Sequence, residues 1–165
     1  MNIPQLERRV IEAAMLQRLK QEIERRYGAD AATEIVLGAV RTAALEAGRQ
    51  FAKSAPEGPN LAHFATIIKS WTQGGALDIA EEDLRDDHFT FAVTRCGYVQ
   101  AYAEMGLDGE FAKLVSCSRD EIFAQGYSPH LKLSRSRTIA QGAPACMFAF
   151  RWDEESSAPS QSGRE

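Results

Sequence analysis

Along the first third of the chain, apolar positions recur at three- and four-residue steps. Ile3, Leu6, Val10, Ala13/Ala14, Leu19 and Ile23 are separated by charged residues, a period that predicts an amphipathic helix. Tyr27-Gly28-Ala29-Asp30 predicts a break, with Gly28 as the stop and Asp30 as the next N-cap. A second, alanine-rich helix is expected from about Ala31 to Lys53. Its stripe of Ile35, Val36, Ala39, Val40, Ala43 and Ala44 suits close packing inside the domain, or alternatively a dimer interface. Turn residues from Ser54 to Asn60 close that unit, and Leu61 to Trp71 reads as a short third helix ended by Gly74-Gly75.

From Ala76 the period falls to two. Leu77 to Leu84 and Phe89 to Cys96 read as strands joined through Arg85-Asp86-Asp87-His88. A third strand is expected from about Leu131 to Ile139, and a fourth from Ala145 to Trp152 after the turn Gly142-Ala143-Pro144. Helical segments, Tyr98 to Met105 and Glu110 to Gln125, separate the strand pairs. The order ααα-ββ-αα-ββ predicts an α+β fold, with helices packed on one face of a roughly four-stranded antiparallel sheet. A chain of 165 residues suffices for one such domain. It is expected over 1–152, as a helical lead-in (1–73) followed by sheet and pocket (76–152), with a Ser-, Glu- and Gly-rich disordered tail over 153–165.

The formal net charge of -4 argues against a nucleic-acid partner, which calls for a basic face. It does not argue against a small anion, which one or two arginines can hold. No run approaches the roughly 20 apolar residues of a membrane span, and the charged N-terminal stretch does not read as a secretory signal. Three cysteines without CxxC spacing point to reduced thiols and a cytoplasmic setting.

Reading the strands by twos places Phe89, Phe91, Val93 and Arg95 on one face, and Leu131, Leu133, Arg135 and Arg137 on another. Cys146, Phe148, Phe150 and Trp152 share a third. Arg95 and Arg135 thus continue apolar faces, where an unpaired guanidinium is prohibitively costly. Either a bulge or strand end turns each outward, or both edge a polar pocket that holds a carboxylate in a bidentate fork.

Ser118-Arg119-Asp120-Glu121 fits a capping box, which would set Cys117 just before a helix N-terminus that favours a thiolate. Cys117 is then an activated nucleophile or a small packed hydrophobe. Asp120 is a helix-dipole residue, an arginine partner or a general base. Cys146 reads as core, Cys96 lies on the face opposite Arg95, and a zinc site from these thiols with His88 or His130 lacks ligand spacing. Tyr98, Tyr102 and Met105 recur as a helix-core stripe from which a hydroxyl could reach the pocket.

Three segments carry a resemblance: T-R-C-G-Y-x3-Y-x2-M-G (Thr94 to Gly106), S-C-S-R-D-x2-F-x2-G-Y (Ser116 to Tyr127) and P-x-L-x5-R-T-I-x2-G-x3-C-x-F (Pro129 to Phe148). In combination, and with Gly48-Arg49 near the end of the second helix, they are similar to the L-2-amino-thiazoline-4-carboxylic acid hydrolase family. One departure is that Ala143, Ala145 and Met147 stand where the family usually carries an acid near the glycine turn. The resemblance implies a hydrolase that opens the thiazoline ring to a carbamoyl-cysteine product. Cys117 and Asp120 would be its catalytic residues, and Arg95, Arg135, Tyr98, Tyr102 and Thr138 would meet the carboxylate substrate. It implies no cofactor and no metal, and leaves a homo-oligomer open. The rival expectation is a non-catalytic module that binds or senses a small carboxylate.

Overall fold

The computed structural model describes residues 3–153, so the expected tail lies, from 154 on, outside the described residues. Helices α1 (Gln5–Tyr27) and α2 (Ala29–Ala52) are separated only by Gly28, whose φ of 89° is open to glycine at no steric cost. The expected third helix divides into α3 (Leu61–Ala65) and α4 (Ile68–Trp71). Between them Thr66 and Ile67 donate three residues back, to His63 and Phe64, at 3.0 Å each. That tighter turn interrupts the α-ladder.

Strands β1 (Leu77–Leu84) and β2 (His88–Cys96) follow, then α5 (Gly97–Glu104), α6 (Gly109–Ala112), a π-helical stretch Lys113–Cys117 and α7 (Arg119–Tyr127). Strands β3 (Leu131–Ser134) and β4 (Cys146–Trp152) complete an antiparallel sheet in the order β1-β2-β4-β3. The third strand is shorter than its alternation suggests. The Thr138 carbonyl accepts from Gln141 (2.9 Å) and Ala143 (3.1 Å), closing a turn that takes the chain off the sheet.

The apolar face of the sheet forms in register. Phe89 pairs with Phe150, Phe91 with Phe148 and Val93 with Cys146, and the rings of Phe91 and Phe148 stack 4.7 Å apart. Leu61, Phe64, Trp71 and Tyr127 from the helices join these residues in one buried cluster, and half-buried Phe123 packs against it. A second cluster links α1, α2 and α5 through Ala13, Val36, Val40, Tyr98 and Tyr102. Among the described residues no helix is long and apolar enough to cross a membrane.

Arg95 corrects the simple reading by twos. Asp78 faces Arg95 and Ile79 faces Val93, so Thr94 has no partner on β1. One extra residue on a strand reverses its parity. Arg95 therefore turns outward, donating to both Asp78 oxygens (2.8 and 2.9 Å) and to the Gly75 carbonyl (2.6 Å), while Cys96 turns toward the helices.

Helix α7 is held against α2 by two glycines. A Cβ on Gly48 would lie 2.2 Å from the Phe123 carbonyl oxygen, and one on Gly126 would lie 2.3 Å from that of Leu45. Neither backbone can yield without parting the helices. Gly126→Ala is expected to lower unfolding stability by about 3 kcal/mol and Tm by roughly 10 °C. Urea and thermal melts followed by circular dichroism check this, and an unchanged midpoint would refute the close-contact account.

Candidate functional site

A cavity of about 170 Å³ opens where α1, α2, α4 and α7 meet the sheet. Trp71, Phe123 and Phe148 supply apolar wall, and four arginines (Arg8, Arg9, Arg119, Arg135) face a single carboxylate, Asp120. An apolar cavity of about 150 Å³ admits benzene, so this one has room for a single small ring.

Asp120 and Arg135 meet here. Asp120 lies in the first turn of α7, and Arg135 is the first residue after β3. Arg135 Nη1 donates to Asp120 Oδ2, Nη2 donates to the Cys117 carbonyl at 2.8 Å, and the guanidinium carbon sits 4.7 Å above the Phe148 ring. Burial pushes the Asp120 carboxyl above its ordinary range, against the opposing pull of Arg135.

The local backbone differs from the capping-box expectation. The chain is already helical when it reaches Ser118 (φ -67°, ψ -14°), and the Ser118 hydroxyl donates back to Leu114 at 2.6 Å rather than capping α7. Its N–H reaches the Lys113 carbonyl (3.0 Å), five residues back, as in a π-turn. Cys117 is therefore inside a continuous helical path and has no free helix N-terminus beside it. Burial, and then the nearby Asp120, push its thiol up to about 12. Both features favour the packed alternative for Cys117 over the activated nucleophile. Cys96 and Cys146 also line the cavity, and burial raises both thiols. No group of three or more His, Cys, Asp or Glu placed to hold a metal occurs among the described residues.

Of the other expected site residues, Tyr98 lines the cavity while its hydroxyl donates to the Trp71 carbonyl at 3.3 Å. Tyr102 is 1% exposed and lies deeper in the second cluster, its hydroxyl without a hydrogen-bond partner. Burial pushes that hydroxyl up to about 12. Thr138 is buried on the far side of Arg135, where its hydroxyl donates to Gln141 Oε1 at 3.1 Å. Arg95 lies outside the cavity altogether.

Arg8, Arg9 and Arg119 line the cavity but were not among the expected site residues. Glu12 Oε2 accepts from Arg9 Nη1 at 2.6 Å and from Arg119 Nη2 at 3.0 Å, and Arg119 Nε donates to the Val115 carbonyl at 2.7 Å. One carboxylate oxygen thus holds two guanidiniums at the cavity wall. Helical spacing carried the signal: Arg9 stands three residues after Leu6 and four before Ala13, and Arg119 four before Phe123.

Fold and cavity together define an α+β protein with an arginine-rich cavity between its helices and its sheet. The chain belongs to the L-2-amino-thiazoline-4-carboxylic acid hydrolase family, whose model matches residues 8–150. No curated protein matches it. Among solved structures, the phenol-responsive sensory domain of the transcription activator PoxR, with phenol, is similar at a TM-score of 0.52 and 12% identity. That match covers 85% of this chain and 73% of the other, and at such identity it establishes the fold alone.

With all three thiols raised, iodoacetamide at neutral pH should label the native protein far more slowly than the urea-unfolded chain, which takes three labels. Intact mass measures this, and rapid single labelling at Cys117 would show an activated thiolate instead.

Proposed function

We propose that this chain is a hydrolase that opens the ring of L-2-amino-thiazoline-4-carboxylate, or of a related small cyclic amidine acid, to a carbamoyl-cysteine-type product. The observation that carries this reading is the cavity's charge arrangement. Arg9 and Arg119 share one Glu12 oxygen, leaving surplus positive charge for a substrate carboxylate, while Asp120 offers the only lining carboxylate among the described residues for a cationic amidine. Family membership supports hydrolysis as the reaction class.

In this reading the carboxylate lies toward Arg9 and Arg119, and the protonated amidine toward Asp120. Water adds to C2 of the ring and gives a proton to Asp120. The tetrahedral adduct then collapses with cleavage of a ring bond; Asp120 returns the proton to the departing sulfur or nitrogen, and the adduct's hydroxyl proton passes to solvent, or to the released amine, as the carbonyl forms. A carboxyl raised by burial suits both transfers. Arg135 fixes the Asp120 rotamer through its second bond to the Cys117 carbonyl. Cys117, held protonated, serves as wall rather than nucleophile. Cleavage at sulfur gives the N-carbamoyl product and a free thiol; cleavage at nitrogen gives the S-carbamoyl product and none.

Incubation with the thiazoline acid, followed by thiol titration and product mass, tests the assignment; absence of both products would sink it. Asp120→Asn should lower kcat by roughly 10²–10⁴-fold, whereas Cys117→Ser should keep activity within about tenfold. Because Asp120 must be ionised to act as base and its carboxyl is raised, the acid limb of kcat/KM should lie above the ordinary aspartate value of 3.8. A limb at or below that value would remove Asp120 from the base role. The binding-module reading draws on the PoxR likeness in fold. It requires thermal stabilisation by the thiazoline acid with no turnover, and the same incubation separates the two.

A further inference from the structure

Among the described residues, the Tyr102 hydroxyl is the one buried side-chain polar atom without a hydrogen-bond partner. A buried donor left unpaired costs free energy that a partner would return. Tyr102 shares the second cluster with Val115, and Ser116, the next residue along, is part of the cavity lining. Burial raises the Tyr102 hydroxyl and the neighbouring Ser116 hydroxyl lowers it, yet no hydrogen bond joins the two. Ser118 spends its hydroxyl on the Leu114 carbonyl, whereas Ser116 has no such bond among the described residues.

The hydrogens fix the direction of any bond between them. A tyrosine hydroxyl buried beside one serine is satisfied by donating to it; were Ser116 to donate instead, the tyrosine hydrogen would stay orphaned. Once the Ser116 oxygen accepts from Tyr102, its own hydrogen is left for the cavity. Ser116 stands three residues before Arg119 and four before Asp120, so on a helical path the three side chains share a face. The charged groups acting on the Tyr102 hydroxyl are Arg9, Arg119 and Glu12. The two hydroxyls therefore belong to the end of the cavity where two guanidiniums share one carboxylate oxygen.

We propose that Ser116 is a third donor to the substrate carboxylate, beside Arg9 and Arg119, with its hydroxyl aimed by Tyr102. This role rests on the two-guanidinium end being the carboxylate subsite, as in the proposed function. Ser116 touches the ligand, and Tyr102 is a positioning residue that acts through it. In the free protein the two hydroxyls are unjoined. A ligand carboxylate that takes the Ser116 hydrogen turns the serine oxygen toward Tyr102, and both hydroxyls gain partners together.

L-Thiazolidine-4-carboxylate, a saturated ring acid without the amidine, reports binding without turnover. In titration calorimetry Ser116→Ala should bind it roughly tenfold more weakly than the wild type, and Tyr102→Phe roughly threefold more weakly. The double variant should be no weaker than Ser116→Ala, because Tyr102 acts only through the serine. The thermal midpoint of ligand-free Tyr102→Phe should not fall, since its hydroxyl has no partner there to lose. Tyr102→Phe supplies the same binding readout should Ser116→Ala fail to fold. Equal affinities for wild type and Ser116→Ala, independent losses in the double variant, a lowered Tyr102→Phe midpoint, or no binding of the acid by the wild type would each overturn the proposal. The hydrolase reading fails on absence of product, which this measurement does not use, so the two fail separately.

Discussion

The ion pair between Asp120 and Arg135 joins the two layers of the molecule at the one place where a cavity separates them. Asp120 rides on α7 in the helix layer, and Arg135 follows β3 at the sheet's edge. Removing two charges from water costs several kcal/mol per ion, and apolar residues of similar volume often do as well or better for stability. The pair recovers part of that cost through the Cys117 carbonyl and the Phe148 ring. What it supplies beyond stability is a fixed carboxylate lining a small cavity.

Position of the carboxylate depends in turn on α7, and α7 on its approach to α2. Glycines at 48 and 126 let the two backbones come within the reach of a missing Cβ. The π-helical stretch before α7 serves the same end from the other side. Its carbonyls at Val115 and Cys117 accept from Arg119 and Arg135, so two of the cavity's guanidiniums are oriented by main chain. Continuity of that helical path removes the helix N-terminus from beside Cys117, and burial together with the Asp120 carboxylate outweighs the Arg135 guanidinium in raising its thiol.

Much of this was legible in the chain. Strict alternation marked the faces of β2 and β4, and the aromatic register follows from it. Alternation could not distinguish Arg95 from Arg135, because both continue an apolar face. The unpaired Thr94, which turns Arg95 outward, is set by the partner strand and leaves no trace in the β2 sequence. The Ser118-to-Glu121 capping pattern was present, but capping needs a non-helical residue at Ser118, and the preceding turn decides that. Arg9 and Arg119 went unseen for the opposite reason. A charged residue within an apolar helical stripe reads as surface until Glu12, three residues beyond Arg9 but far along the chain from Arg119, is known to hold both.

The site's charges cannot be understood pair by pair. Asp120 and Arg135 neutralise one another, and Glu12 offsets only one of the two guanidiniums it holds. In a low-dielectric wall an uncompensated guanidinium is tolerated where water or an anion completes it. The cavity is therefore asymmetric. Its α1 side carries two guanidiniums on one carboxylate oxygen, and its β3 side carries a balanced pair whose carboxylate lines the space. A neutral ring gains nothing from that asymmetry. In the proposed reading, a ligand with a carboxylate at one end and a protonatable amidine at the other would gain at both, and only in one orientation.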